Sequence, residues 1–224
     1  QKVMSVYHQA ILDFNDGYEV TKIRVHDDYV SITAQNDSEI DAVKIHITLD
    51  DYFNYKIRPH MMLDRNTVSL LLQKQRWFEA YRAAIKKLAR KDYTCEEMRR
   101  YFLIEHQLDE LDSENLIDIL QQKGYLNDQK YVESKLESVS YSLYGKTKIK
   151  RKLISKGLEE ALVDEALSHY DDSSESVKAT TVALKLMKTI KGKSISMKKL
   201  MIVRKLIDSG FSRDLANDTV KGLA

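Results

Sequence analysis

From Asp64 onward, apolar residues return at every third or fourth position, the spacing that lays them along one face of an α-helix. Asp64 reads as the cap of a helix carrying Val68, Leu71 and Leu72, and a second helix, or a continuation past Gln73, runs from about Arg76 to Arg90 with Phe78, Tyr81, Ile85 and Leu88 on one stripe. Thr94 with Glu97 makes a capping box for Cys95 to His106. The same periodicity predicts helices over about Ser113 to Lys123, Asp128 to Tyr144, Thr147 to Lys156, Glu159 to Tyr170, Glu175 to Ile190, Met197 to Asp208 and Arg213 to Leu223. That makes nine helical units after Pro59. Ahead of Pro59 the period shortens: YEVTKIRV, DYVSIT and AVKIHITLDDYF, between about residues 18 and 57, are rich in β-branched and aromatic residues and predict a small sheet of three or so strands. His26-Asp27-Asp28 is a candidate hairpin turn, and Gln35 to Asp41 a polar loop.

The helical part repeats itself. KIKRKLISKGLEEALVDEAL from Lys148 lies on MIVRKLIDSGFSRDLANDTV from Met201 at a constant offset of 53, with Ile149 on Ile202, Arg151 on Arg204, Leu153 on Leu206, Gly157 on Gly210 and Leu162 on Leu215. Cys95 to His106 joins the series at an offset of 51, Met98 on Ile149, Arg100 on Arg151 and Phe102 on Leu153, with a longer loop after it. The expected fold is mainly α: a small N-terminal β region (residues 1–62), then three tandem three-helix repeats (63–124, 125–173 and 174–224). Units of this kind stack on their neighbours, so an elongated, curved helical body with a long concave face is expected.

Charge follows the repeat. The chain of 224 residues has a formal net charge of only +2, but the first 75 residues hold 8 Lys and Arg against 11 Asp and Glu, and the remainder 28 against 23. Gly157 to Val177 carries only acids (Glu159, Glu160, Asp164, Glu165, Asp171, Asp172, Glu175), whereas Ser176 to Ile207 carries only bases. In the second helix of the middle repeat, Lys148, Arg151 and Lys152 share a face away from Ile149 and Leu153. Arg151-Lys152 recurs as Arg204-Lys205 and, more weakly, as Arg99-Arg100. A recurring basic face on an extended body suits a long polyanion or an acidic polymeric partner, against the plainer reading of solvated helix faces balancing nearby acids.

Other chemistries are poorly supplied. Gly145-Lys146-Thr147 lacks the first glycine of a phosphate-binding loop, since Ser140 stands there, and a helix-patterned segment rather than a strand precedes it. The histidines at 8, 26, 46, 60, 106 and 169 are scattered, and the lone Cys95 excludes an internal disulfide framework, so no catalytic residue, metal or cofactor is expected and a reducing cytoplasm fits. Neither a signal peptide nor a membrane-length apolar run is evident, and Gln1 reads as a trimmed N-terminus. Trp77 beside Phe78 reads as a core contact to the β region.

GYLNDQKY, from Gly124 to Tyr131, is a compact turn between helices: Gly124 ends one, Asn127 caps the next, Asp128 favours its positive end, and Leu126 can staple onto Tyr131. Followed by a helix of about fourteen residues, the Gly145 break, a basic x-I-x-x-x-L helix and Lys156-Gly157-Leu158, it resembles the central signature of the RecX family of bacterial regulatory proteins. The likeness spans roughly Arg76 to Ala224; Asn127, Lys146 and Lys148 depart from the aspartate, proline and arginine usual there. The resemblance implies a monomeric, non-enzymatic, cytoplasmic regulator of the RecA recombinase in DNA repair, recombination and the SOS response. Such a protein binds the filament that RecA forms on single-stranded DNA, touching the DNA directly or not, and depresses ATPase, strand exchange and coprotease activity. The candidate contact residues are Arg99, Arg100, Lys146, Lys148, Arg151, Lys152, Lys198, Lys199, Arg204 and Lys205. Two other classes stay open: a helical-repeat protein that binds DNA without the recombinase, and an enzyme whose site assembles from distant positions.

Overall fold

The computed structural model describes residues 17–36, 42–140, 143–169 and 172–223, and among these described residues four strands and ten helices are formed. Strands β1 (Tyr18–Val25), β2 (Val30–Gln35), β3 (Val43–Ile47) and β4 (Met62–Leu63) make one antiparallel sheet in the order β3-β2-β1-β4. Alternation puts Tyr18, Val20, Val30, Ile32, Ala34, Ile45 and Ile47 on one face, where they form a core with Val68 and Leu71 of the helix that follows. His26 donates its N–H to the Tyr29 carbonyl (2.8 Å), closing the expected hairpin. Most of the expected polar loop, residues 37–41, lies outside the described residues.

The end of the third strand-like run differs from the pattern reading. AVKIHITLDDYF is not strand throughout: the Thr48 hydroxyl accepts the Asp51 N–H (3.0 Å) and starts helix α1 (Leu49–Asn54), because a good N-cap followed by two acids outweighs the β-rich composition. Of the two readings past Gln73, the continuation is the one formed: α2 (Arg65–Leu88) runs unbroken from its Asp64 cap for 24 residues. Gln75, on its buried side, accepts the His46 N–H at 3.0 Å. Phe78 is buried with its ring 6.2 Å from Tyr29 of the β region, while half-buried Trp77 stacks on Tyr81 instead.

After α2 come α3 (Cys95–Glu105), α4 (Glu110–Gln122), α5 (Asp128–Ser140), α6 (Lys146–Ile154), α7 (Glu160–Ser168), α8 (Asp172–Thr189), α9 (Ile195–Asp208) and α10 (Arg213–Lys221). Tyr141, Ser142, Tyr170 and Asp171, expected at helix ends or in the acidic run, lie outside the described residues. The chain divides into two compact units, one from residues 1–90 and 101–116, the other from 91–100 and 117–224.

The repeat is physical as well as sequential. Ile149, Leu153, Leu158, Val163 and Leu167 are buried together, and so are their counterparts 53 residues on, Ile202, Leu206, Phe211, Ala216 and Val220. The first repeat buries Met98, Phe102, Leu108, Ser113 and Ile117, at offsets of 51 and then 50. Its turn has one more residue, and Gln107 with φ 52° takes the left-handed place that Gly157 (φ 83°) and Gly210 (φ 91°) hold. Helix α4 starts earlier than Ser113, because the Asp109 carboxylate accepts the Asp112 N–H at 2.7 Å.

The turn into α5 is built as expected: Gly124 has φ 74°, the Asn127 side chain accepts the Lys130 N–H at 2.9 Å, and Leu126 and Tyr131 are buried. Asn127→Ala should therefore lower stability by about 0.5–2 kcal/mol, read from chemical denaturation. Leu153→Ala, which empties a buried position, should cost about 2–5 kcal/mol in the same assay.

Candidate partner-binding face

The geometry of the basic helices depends on how each one begins. In α3, Thr94 and Glu97 make the reciprocal capping box: the Glu97 N–H donates to the Thr94 hydroxyl oxygen (3.1 Å) and the Thr94 N–H to the Glu97 carboxylate (3.2 Å). The Thr94 hydroxyl donates to the Lys156 carbonyl (2.7 Å), and the Lys156 ammonium to Glu97 (2.6 Å). Helix α3 thus starts against the turn that ends α6. One repeat later the arrangement recurs with backbone groups, Gly145 donating its N–H to the Ser209 carbonyl (3.0 Å) and Thr147 to the Gly210 carbonyl (3.2 Å). Approach is so close that a Cβ on Gly157 would overlap the Glu96 side chain, and one on Gly210 the backbone of Lys148. Glycine is required at Gly210 for this reason as well as for its left-handed backbone.

The same bonds dispose of the Gly-Lys-Thr motif. The Gly145 and Thr147 amides are given to the next turn and the Lys146 amide to Glu175 (2.8 Å), so none of the three is aimed at an incoming phosphate.

Cations on the second helices differ in what surrounds them. Arg100 is bound to Glu96 (2.7 Å) and Arg99 lies 3.9 Å from the same carboxylate, so both members of the first basic pair are drawn to one acid on their own helix. On α6, Lys148 and Lys152 each place an ammonium 4.2 Å from the centre of the Tyr144 ring, which orders both. Lys150 instead reaches Glu160 (2.7 Å) and Asp164 (2.6 Å) of α7, and those bonds, Asp164 first, raise its pKa. Arg151, Arg204 and Lys205 are exposed and have no acidic partner among the described residues. Lys146, Lys198 and Lys199 are half-buried at the starts of their helices. Lys178, in the acid-free span, is buried rather than solvated.

The pattern reading therefore located the cations but not their partners. It missed Tyr144, whose signal is an aromatic four and eight residues before two lysines, and the Glu97–Lys156 link, whose members are 59 positions apart. Cys95 is a packing residue: its N–H donates to Asp128 (2.9 Å), and burial, then the Asp128 charge, push its thiol pKa up to about 12. No group of three or more His, Cys, Asp or Glu side chains able to hold a metal occurs among the described residues, and no described helix is long and apolar enough to cross a membrane.

A helical-repeat protein with a basic second helix in successive repeats is the class that fold and face define. Residues 127–167 match the family profile for the RecX second three-helix domain. The chain is 28% identical to the regulatory protein RecX of Lactococcus lactis subsp. lactis over 82% of its own length and 69% of the relative's. It is 27% identical to that of Clostridium perfringens over 75% and 79%. Among solved structures, one described as regulatory protein RecX superposes with a TM-score of 0.71 at 18% identity over 91% of this chain and 98% of that one. The RecX structure from Lactobacillus salivarius gives 0.60 at 26% identity, covering 66% and 96%. The chain thus carries a match to the RecX second three-helix domain and is similar over most of its length to regulatory proteins RecX.

The Glu97–Lys156 link makes a pH prediction. Burial works against the Glu97 charge, but the Lys156 hydrogen bond and the Thr94 N–H outweigh it and hold the carboxyl below the usual glutamate range; the Glu97 bond in turn raises Lys156. A depressed carboxyl stabilises the fold above its unfolded pKa, and that contribution is lost as pH falls through the folded value. Lysine's share holds below its own unfolded pKa and goes only as pH rises through the raised one. Glu97→Gln should cost no more than about 1 kcal/mol at neutral pH, since both groups meet solvent. Urea midpoints from pH 7 down to 3 should converge for variant and wild type; parallel curves would show that the link contributes nothing.

Proposed function

We propose that this chain binds the RecA recombinase in the filament that RecA forms on single-stranded DNA. There it inhibits ATP hydrolysis, strand exchange and coprotease activity, and so modulates recombination, repair and the SOS response. It acts by occupying a surface, as a cytoplasmic monomer without chemistry of its own. One observation carries the reading: in a chain similar to regulatory proteins RecX, Arg151-Lys152 and Arg204-Lys205 occupy the same register on α6 and α9, exposed and without acidic partners among the described residues. Cations so placed are free to meet phosphate or acidic protein groups, whereas Arg99 and Arg100 would first have to leave Glu96. The Tyr144 ring holds Lys148 and Lys152 in place beforehand, which lowers the ordering cost of a contact. We propose Lys146, Lys198 and Lys199 as supporting contacts, and residues 1–62, 63–124, 125–173 and 174–224 as the modules.

The same unpaired cations favour a second reading, sequence-independent DNA binding without the recombinase. Comparing affinity for naked single strands with affinity for recombinase filaments separates the two.

Charge reversal at Arg151 with Lys152, or at Arg204 with Lys205, should weaken inhibition of the recombinase ATPase. Melting should stay within about 0.5 kcal/mol of wild type per site, as for surface changes generally. Where the cations meet phosphate on single strands, log K should fall by about 0.7 per contact for each tenfold rise in salt. Both pairs inhibiting like wild type across a salt series would move the contact surface elsewhere.

A further inference from the structure

Helix α9 holds the place in the third repeat that α3 and α6 hold in the first two, but its beginning is different. It starts one turn earlier: Lys198, the counterpart of Gly145, lies inside the helix and gives its N–H to the Ser194 carbonyl (2.9 Å), with Ser194 as the N-cap. Its amides are satisfied internally, where Gly145 and Thr147 give theirs to a following turn. What α9 offers in that register is side chains. Leu200 and Met201 stand where Thr147 and Lys148 stand, and Met197 where Tyr144 stands. All three are exposed, at 66%, 42% and 47%. With Arg204 they fall at i, i+3, i+4 and i+7, opposite Ile202 and Leu206, which are completely buried.

We propose that this stripe of α9 is a docking site for an acidic amphipathic helix of a partner protein. The spacing is that of helix anchors in a partner's apolar groove or along its apolar face, and methionine's unbranched chain adapts to such surfaces. An outermost helix of a repeat array is expected to turn a polar face outward, so three large apolar side chains there need a cover. Charge selects the occupant. Arg204 ends the stripe, Lys198 and Lys205 flank it, and no acid occurs from Ser176 to Ile207, so an acidic partner is attracted and a second copy of the same face repelled. Nucleic acid would meet the cations but gains nothing from Met197, Leu200 and Met201 at its phosphates. A lipid surface is disfavoured because the stripe holds no aromatic anchor and the helix's other apolar face is locked in the core. The inference goes beyond the filament reading and does not depend on it.

The test uses the full chain with three probes: a fluorescent helical peptide with leucines at i, i+3, i+4 and i+7 and glutamates elsewhere, polyglutamate of equal charge, and phosphatidylglycerol vesicles. Wild type should bind the leucine-glutamate peptide at least about tenfold more tightly than polyglutamate, a difference of about 1.4 kcal/mol. The double variant L200S/M201S should lose that margin with its melting temperature unchanged, and R204E/K205E should weaken both anionic peptides. The proposal is overturned if the double variant binds the peptide like wild type or the peptide binds no better than polyglutamate. Vesicle binding lost in the same variant would assign the stripe to lipid, and self-association lost in that variant would assign it to a second copy; either also overturns it.

Discussion

A helix that begins directly against another helix's closing turn needs two things: a turn with no side chain in the way, and partners for amides that no longer face water. Both junctions in the second unit meet this constraint, with different chemistry. Thr94 and Glu97 grip the Lys156 turn through a hydroxyl and a carboxylate, while Gly145 and Thr147 grip the Ser209-Gly210 turn through their own backbone. Everything on the exposed side of α6 is oriented by this seating, because it fixes where the helix starts and hence which direction residues 148, 151 and 152 face. Buried amides left without acceptors would cost about 1–3 kcal/mol each, so the seating is strongly favoured over a displaced one.

Charge on the repeats is graded. The first basic pair is drawn to Glu96, Lys150 is spent on α7, and two lysines are held over Tyr144. Arg151, Arg204 and Lys205 remain on offer. A sequence count treats all of these as equal positive charges. For a partner they are not, since a cation already bound to a carboxylate must break that bond before it can make another, and exposed bonds of this kind exchange at little net gain.

Much of the helical part could be read from spacing alone, because burial in a three-helix unit imposes a period that the sequence must carry. Ile149 with Ile202 and Leu153 with Leu206 show it, as do the left-handed backbones at Gly157 and Gly210. The misreadings have local causes. Composition could not show Thr48 capping a helix inside a strand-like run, and periodicity left open whether α2 would pass Gln73 without a break. Within the candidate face, cation positions were legible from register, but their pairing was not: Lys156 meets Glu97 only because the repeats stack, and Tyr144 matters only because α6 starts beside it. The first repeat was the least legible, since Gln107 stands where glycine marks the other two turns.

Gln75 carries a consequence of another kind. Strand β3 is the outer strand of the sheet, and its His46 N–H would be free to pair with a foreign chain, but the Gln75 side-chain oxygen accepts it, while the Gln75 amide is itself held by Glu79 at 2.8 Å. A side chain from a helix stands in for the missing neighbour, with exposed Lys44 beside it adding a charge that a new strand would have to bury. Losing that amide would reopen the sheet to intermolecular strand addition, so that a substitution such as Gln75→Leu, harmless to the apolar interior, would surface as aggregation of otherwise folded protein.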